Sequence, residues 1–224
     1  MSSILATRSE FDTCLQRFLK ESNACPTEIF KWQIETSPSI IKLKFLKREI
    51  NTIVSQADEE SYGDELMTSI DMHNMDDEDA ASLFNNQVES NPVSIHLEQH
   101  IVYSASYQVP VLYFKAVFGS NGAPLSLNDI HQYIVPKSRN PLHTTTPVVV
   151  SQNEHPVLGT PFWYIHPCDT STLMRTLTFQ PEDYIKTWLS VYGPLVKCPI
   201  SMDMFKDRAD AKGKKSFANQ LKKK

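Results

Sequence analysis

The sequence predicts an α+β fold, in which an antiparallel sheet of about four strands carries an N-terminal and a C-terminal helix on one side. Two observations lead to this prediction. Near each end of the sequence apolar residues recur at helical spacing, and between these segments short runs alternate apolar and polar residues as half-buried strands do. With 41% hydrophobic residues among 224, the chain can bury the core of one domain.

The first helix is predicted over residues 7–20. Thr7 and Glu10 have the spacing of a capping box, in which each side chain accepts a hydrogen bond from the backbone N–H of the other residue. The apolar side chains of this segment share one stripe, which consists of Phe11, Cys14, Leu15, Phe18 and Leu19. We therefore expect this stripe, including Cys14, to face the core.

The strands follow in two pairs. The segments "IFKWQIE" and "IIKLKFL" each alternate, and the "TSPS" between them is typical of a turn. The later run "SIHLEQHIVYSASYQVPVLYFKAVF" divides into two strands near residues 108–110, because proline cannot donate a ladder hydrogen bond. Ser126, with Asp129 three positions later, then predicts the start of a short helix.

The last third holds an aromatic strand and the clearest helix. "PFWYI" leads as a strand directly into His166, Pro167 and Cys168. The helix "PEDYIKTWLSVYGP" opens with proline and two acids and closes at Gly-Pro.

The sequence predicts one domain over residues 1–200 with an insertion and a tail. Residues 57–80 hold ten acidic side chains and no Lys or Arg, so residues 57–91 are predicted to be a disordered insertion. The basic, polar residues 201–224 are predicted to be a disordered tail.

Composition excludes several classes of function. A net charge of −4 argues against general nucleic-acid binding, and no apolar run reaches the roughly 18 residues of a membrane span. The first residues have no signal-peptide character, so we expect a cytoplasmic protein. There is no phosphate-binding glycine loop, and no cofactor is expected. The four cysteines form no CxxC pair, which disfavours disulfides and zinc. A metal site assembled from distant residues stays open as an alternative: His155, His166, Cys168 and Cys198.

Cys168 is the candidate nucleophile. His166 projects to the same side if the backbone is extended, and a helix starting in "DTST" would stabilise a thiolate through its N-terminus. Asp169 acts in the opposite sense, because a nearby carboxylate raises a thiol pKa, but it can also attract or deprotonate an incoming lysine. The alternative is that His166 is a turn residue and Cys168 a buried small side chain. The residues alone leave both interpretations open.

A cysteine hydrolase is the competing enzyme class. Such enzymes bring a distant histidine to the thiol, and His131, His143 or His155 could serve. The chain lacks a glycine-rich oxyanion turn at the cysteine, which disfavours this class.

Three segments in order, "YSASYQVPVLYFKAVF", "EHPVLGTPFWYIHPC" and "YIKTWLSVYGPLV", closely resemble a family of ubiquitin-conjugating-like enzymes of autophagy, the family of autophagy-related protein ten. The resemblance spans roughly residues 93–196. It implies a ubiquitin-conjugating-type α+β fold with extra strands beyond the four predicted. It also implies that Cys168, in the "HPC" motif, is the residue that forms a thioester.

The resemblance further implies a reaction and its partners. Cys168 would accept a ubiquitin-like modifier, autophagy-related protein twelve, from the activating enzyme, autophagy-related protein seven. It would then pass the modifier to a lysine of autophagy-related protein five without a separate ligase. A catalytically inert adaptor that binds the same partners remains the alternative from another class.

The sequence departs from that of ordinary ubiquitin-conjugating enzymes at the residue that stabilises the oxyanion. Ordinary ubiquitin-conjugating enzymes carry His-Pro-Asn shortly before the cysteine, whereas here His155-Pro156 is followed by Val157. The asparagine that supports the oxyanion is therefore missing. His166, in an oxyanion or orienting role, is the first candidate substitute. Tyr107, at the end of the preceding aromatic strand, is the second, with packing against the sheet as its alternative.

Overall fold

The computed structural model describes residues 7–38, 42–54, 92–135 and 150–206. It confirms the α+β class with one six-stranded antiparallel sheet and helices packed against it. The predicted insertion, 57–91, lies outside the described residues, as does all but the start of the predicted tail. The elements are α1 (Arg8–Ala24), β1 (Gln33–Thr36), β2 (Lys44–Val54), β3 (Val93–Ser104), β4 (Val109–Phe118), α2 (Leu127–Asp129) with a π-helical turn (Ile130–Ile134), β5 (Val150–Glu154), β6 (Pro161–Ile165), α3 (Thr170–Thr176) and α4 (Tyr184–Tyr192).

The sheet has the strand order β1-β2-β3-β4-β6-β5. Strands β1 to β4 form a meander, and β6 rather than β5 pairs with β4, in the register Tyr113 to Tyr164. The late strands therefore extend the predicted four-stranded sheet on the β4 side. This order puts β6 between β4 and the edge strand β5, so the turn that carries Cys168 follows an inner strand of the sheet.

Helix α1 begins as predicted. Both halves of the Thr7–Glu10 capping box are present, and the helix continues to Ala24. Its predicted stripe faces the core, and Cys14 is buried on it. The predicted cap of the short helix at Ser126 and Asp129 is also confirmed.

The two faces of the sheet differ. One face meets α1, α4 and the turns that follow α4, and it contains the large core. The opposite face carries a small second cluster, which consists of Phe45, Val102, Val111, Tyr113 and Phe162. Because side chains alternate along a strand, neighbouring residues such as Leu46 and Phe45 are both buried, on opposite faces.

A buried arginine joins the sheet to the C-terminal segment. Arg48 is 2% exposed, donates from Nε to Gln99 over 2.8 Å, and donates from Nη2 to the Cys198 sulfur over 3.0 Å. Its guanidinium lies 4.7 Å from the centre of the Trp32 ring, and its charge is balanced by buried Glu28 at 3.5 Å. A buried charge is tolerated only when it is paired and hydrogen-bonded, as it is here.

The chain stays ordered beyond residue 200. Residues Met202–Phe205 form a 3-10 helix, and Met204 is buried against the core. Its carbonyl accepts a hydrogen bond from Nζ of buried Lys186 over 2.9 Å. The start of the predicted basic tail thus packs on α4. Within the described ranges, no helix is both long enough and apolar enough to cross a bilayer.

Replacing Arg48 with methionine should destabilise the fold by about 3–5 kcal/mol, because the substitution leaves the buried Glu28 carboxylate without its cation. Urea unfolding of the full chain measures the change in free energy. Lys20→Met, on the exposed side of α1, is the matched control and should cost well under 1 kcal/mol.

The double variant Arg48→Met/Glu28→Gln should recover part of the loss, since it removes both charges. An Arg48→Met protein as stable as the Lys20→Met control would contradict the role given to this ion pair.

Candidate functional site

The candidate site lies where β6 leaves the sheet. After Ile165 the chain turns through residues 166–169 and enters α3 at Thr170. The Thr170 N–H donates to the Pro167 carbonyl over 3.1 Å, and Pro167 is buried. The predicted helix after the cysteine is therefore present, although it has only seven residues.

Cys168 is exposed at this turn, whereas Cys14, Cys25 and Cys198 are buried. The interpretation of Cys168 as a buried small side chain is therefore wrong for this structure. Cys168 is thus accessible from solvent, whereas the other three cysteines belong to the main core cluster.

The His166 ring is hydrogen-bonded to the backbone of Cys168, the residue that it was expected to assist. Its Nδ1 accepts a hydrogen bond from the Cys168 N–H over 3.3 Å, so a neutral ring carries its proton on Nε2. Nε2 lies 3.4 Å from the Tyr107 hydroxyl oxygen, and the two rings meet edge to face at 5.5 Å. Nε2–H therefore donates to Tyr107, whose own hydroxyl hydrogen can then donate to a further acceptor.

Tyr107 lies in a turn, not at the end of a strand as predicted. Strand β3 ends at Ser104, and Gln108 closes the turn with a φ of 55°. Tyr107 is 47% exposed, and its ring packs on His166. The alternative in which it simply packs against the sheet is not what the structure has. The turn places Tyr107 in contact with His166, two positions before Cys168.

The electrostatics at Cys168 favour the thiol. Partial desolvation raises its pKa, and the Asp169 carboxylate raises it further through its charge and a side-chain hydrogen bond with the thiol. The stabilisation expected from the N-terminus of α3 does not outweigh these effects. The raised pKa favours the protonated thiol, so the proton must be removed before the sulfur can act as a nucleophile.

Helix α4 supports this turn from the core side. Tyr192 of this helix is buried, and this burial raises the pKa of its hydroxyl; a hydrogen bond with the Thr170 side chain lowers the pKa, and the charges of Asp169 and Cys168 raise it. Tyr192 and Met174 of α3 both belong to the main core, so the two helices that follow the cysteine turn share that core.

His155 was considered above as a hydrolase base or a metal ligand. It is fully buried, and it lies on the opposite face of the sheet from Cys198. Its Nδ1 accepts from the backbone N–H groups of Val157 and Leu158, each over 3.2 Å. Its Nε2 therefore carries the proton and donates to Nδ1 of His100 over 3.1 Å. Nε2 of His100 in turn lies 3.0 Å from the Glu98 carboxylate.

This histidine relay occupies both ring nitrogens of His155, so His155 is not available for catalysis at Cys168. The metal alternative also fails, since His155 and Cys198 belong to separate networks. Within residues 7–38, 42–54, 92–135 and 150–206 no group of three or more metal-binding side chains is assembled. Among the hydrolase candidates, His131 lies in the exposed part of the π-helical turn, and His143 lies outside the described residues.

An aromatic row joins the relay to the site. The Tyr113 ring lies 5.1 Å from His155 and stacks on Tyr164 at 5.6 Å, and Tyr164 lies 6.0 Å from His166. Sequence analysis missed the relay. The signal for it in the sequence is the spacing of two between Glu98 and His100, which places both side chains on one face of β3.

The comparisons with known proteins agree on one family. A family model described as autophagocytosis associated protein, active-site domain, matches residues 10–201. The chain is 41% identical over 108 residues to the ubiquitin-like-conjugating enzyme ATG10 of Homo sapiens, covering 46% of this chain and 49% of that protein. It is 34% identical over 121 residues to the protein of the same name from Dictyostelium discoideum, covering 48% and 53% respectively.

The Arabidopsis thaliana protein of that name is 36% identical over 114 residues, covering 47% of this chain and 50% of that protein. The matched part of the chain thus spans about half the length of each of these curated relatives. Solution structures titled KmAtg10 overlap 87% of this chain and 96% of that chain, with a TM-score of 0.41 and 15% identity.

The histidine relay predicts a pH-dependent stability. Burial, followed by His100 and Lys115, lowers the pKa of His155 from 6.5 to about 4. The unfolded chain therefore binds the proton more readily, so the stabilisation is complete above pH 6.5 and is lost as the pH falls towards 4. It amounts to roughly 3 kcal/mol. Thermal or urea unfolding between pH 7 and pH 4 measures it.

His155→Asn keeps an acceptor for the two backbone N–H groups but cannot titrate. We expect it to be less stable than the parent at pH 7 and to show a flatter pH dependence between 6.5 and 4. His131→Asn, at an exposed histidine, is the control and should follow the parent. Equal slopes for His155→Asn and His131→Asn would contradict the relay.

Proposed function

The chain belongs to the autophagocytosis associated protein, active-site domain family, whose model matches residues 10–201, and on that premise we propose that it is a conjugating transferase for a ubiquitin-like modifier in autophagy. Cys168 is the proposed thioester residue. The observation that supports this most is its exposure at the strand-to-helix turn, beside the histidine that its own backbone holds.

Charging is proposed to proceed by transthiolation. The Cys168 thiol loses its proton, and its sulfur attacks the thioester carbonyl that joins the modifier's C-terminal glycine to the activating enzyme. The bond to the activating enzyme's sulfur breaks, and the modifier is now linked to Cys168. An exposed thiol suits this step, because two large proteins must approach the same sulfur.

Transfer is proposed to proceed by attack of a lysine amine on the Cys168 thioester. This step develops negative charge on the carbonyl oxygen, and a hydrogen-bond donor aimed at that oxygen lowers the barrier. Both ring nitrogens of His166 already have partners, whereas the Tyr107 hydroxyl hydrogen is available. We therefore assign the donor role to Tyr107 and the orienting role to His166, in place of the missing asparagine after Pro156.

The partners are proposed from the resemblance. They are autophagy-related protein seven as activating enzyme, autophagy-related protein twelve as modifier and autophagy-related protein five as lysine acceptor, recognised without a separate ligase. A cytoplasmic location belongs to the same proposal. The adaptor alternative predicts binding without an adduct on Cys168, and the hydrolase alternative predicts release of free modifier.

Cys168→Ser should convert the adduct from a thioester into an oxyester, because a serine oxygen replaces the sulfur. The chain is incubated with activating enzyme, modifier and ATP, and gels with and without reductant are compared. The parent adduct should disappear with reductant, the serine adduct should persist, and transfer to the acceptor should stop. Cys25→Ser, at a buried cysteine, is the control and should behave as the parent. Undiminished transfer by Cys168→Ser would refute the proposal.

Tyr107→Phe should slow discharge of the charged enzyme to lysine by about 10²-fold, the loss expected for one oxyanion donor, while charging continues. Single-turnover discharge measures this rate after charging has been verified. His166→Ala should cause a similar loss, and the double variant should add little, because the two residues act as one unit. Tyr133→Phe, in the π-helical turn, is the matched control. Discharge at the parent rate in Tyr107→Phe would remove it from the mechanism.

A further inference from the structure

Gln108 has a left-handed backbone, with a φ of 55°, in the turn between β3 and β4. For a residue with a Cβ this conformation is sparsely populated, and it persists only where the surrounding structure imposes it. Glycine adopts it without that penalty and is the usual residue at such a position. The chain therefore keeps a long side chain at a point where the backbone favours none.

The turn is closed without the Gln108 side chain. The Gln108 N–H donates to the Ser104 carbonyl over 2.8 Å, and the Ser104 hydroxyl accepts from the Tyr107 N–H over 3.3 Å. The next residue, Val109, is buried, whereas Gln108 is exposed. Among the residues that the structure describes, none forms a hydrogen bond with the Gln108 carboxamide. Its donors and acceptors are thus free to meet a molecule outside the chain.

The same turn lies at the cysteine end of the sheet. Strand β4 pairs with β6 in the antiparallel register Tyr113 to Tyr164, and continuing this register brings Gln108 and its neighbour level with the cysteine turn. A contact made by the preceding tyrosine agrees with this position, because its hydroxyl lies 3.4 Å from Nε2 of His166. The exposed carboxamide and the exposed Cys168 thus border the same part of the surface.

We propose that Gln108 is a substrate-binding residue: its carboxamide hydrogen-bonds with a backbone peptide group of the modifier's C-terminal segment and so orients the thioester carbonyl towards Tyr107. This inference rests on the proposed function and deepens it. The Tyr107 assignment supplies a hydrogen-bond donor for the oxyanion, and it leaves open which residue holds the carbonyl in front of that donor.

The chemistry of the modifier's C-terminal segment fits a carboxamide. When Cys168 is charged, the chain that reaches its sulfur ends in a glycine. Glycine offers no side chain, so its recognition depends on backbone N–H and C=O groups. The carboxamide of Gln108 can donate to a C=O group and accept from an N–H group of the same segment.

The constrained backbone at Gln108 favours this role. Because Ser104 holds the turn through two hydrogen bonds, the carboxamide is presented from a backbone that is already fixed. Ordering a side chain on a fixed turn costs less conformational entropy on binding than ordering the turn as well. Loss of the carboxamide should therefore slow transfer without destabilising the fold, whereas a merely structural role for Gln108 would link the two effects.

The test begins with Gln108→Gly in the full chain, because glycine removes the carboxamide and relieves the left-handed backbone. Thermal unfolding should give a Tm equal to or above that of the parent. Single-turnover discharge of the charged enzyme to free lysine should fall by about 10-fold, the loss expected for one orienting hydrogen bond.

Two further variants separate the carboxamide from the flexibility that glycine brings. Gln108→Met keeps the Cβ and nearly the length of the side chain, and it should slow discharge as Gln108→Gly does. Gln108→Asn keeps a carboxamide on a residue that tolerates the left-handed backbone, and it should recover part of the parent rate. Discharge by Gln108→Met at the parent rate would overturn the proposal.

Lys197→Gly is the matched control for backbone strain. Lys197 is the other non-glycine residue with a left-handed backbone among those described, with a φ of 51°, and its carbonyl lies 3.4 Å from Nε2 of Gln99 in the core-facing network. We expect Lys197→Gly to leave the discharge rate unchanged. A fall in discharge as large as that of Gln108→Gly would contradict a specific role for Gln108.

A direct measurement uses the stable oxyester adduct of Cys168→Ser and the nitrogen-15 NMR signals of glutamine carboxamides. The Gln108 signals are identified by their absence in the double variant Cys168→Ser/Gln108→Met. They should shift, and their protons should exchange more slowly with water, in the adduct than in the uncharged chain. Carboxamide signals that are the same in both states would overturn the proposal. If the parent chain forms no adduct at all, it is instead the proposed function that is wrong.

Discussion

The hydrogen bond from the Cys168 N–H to Nδ1 of His166 is the contact on which the site depends. It fixes the proton of a neutral His166 on Nε2, and that proton in turn holds the Tyr107 hydroxyl. In the same turn Cys168 is exposed while Pro167 is buried. The donor role proposed for Tyr107 therefore depends on a hydrogen bond made by the backbone of Cys168 itself.

The site is supported from both faces of the sheet. On the main-core face Tyr192 and Met174 are buried next to the helices that follow the cysteine turn, and the C-terminal segment is fixed to the sheet by the paired charge of Arg48. On the other face the aromatic row runs from His166 back to the buried pair His155 and His100. Both buried polar networks are neutral or internally paired, which is the condition under which such groups can be enclosed.

Local sequence chemistry predicted those features that depend on neighbours in sequence. The Thr7–Glu10 cap and the strand alternation follow from spacing, and the helix after Cys168 follows from the residue types that favour a helix start. The nucleophile was one of two open interpretations until the family resemblance favoured it. Tyr107 was placed on a strand because its parity fits, and nothing in the sequence signals the left-handed backbone at Gln108. The relay was missed because its two histidines are 55 positions apart.

The central claim is that Cys168 carries the modifier as a thioester, and peptide mapping of the charged enzyme tests it most directly. The full chain is charged with activating enzyme, modifier and ATP, digested without reductant and analysed by mass spectrometry. The account predicts one modifier C-terminal fragment on the peptide containing Cys168, absent after treatment with reductant. An adduct on Cys14, Cys25 or Cys198, or none on any cysteine, would contradict it.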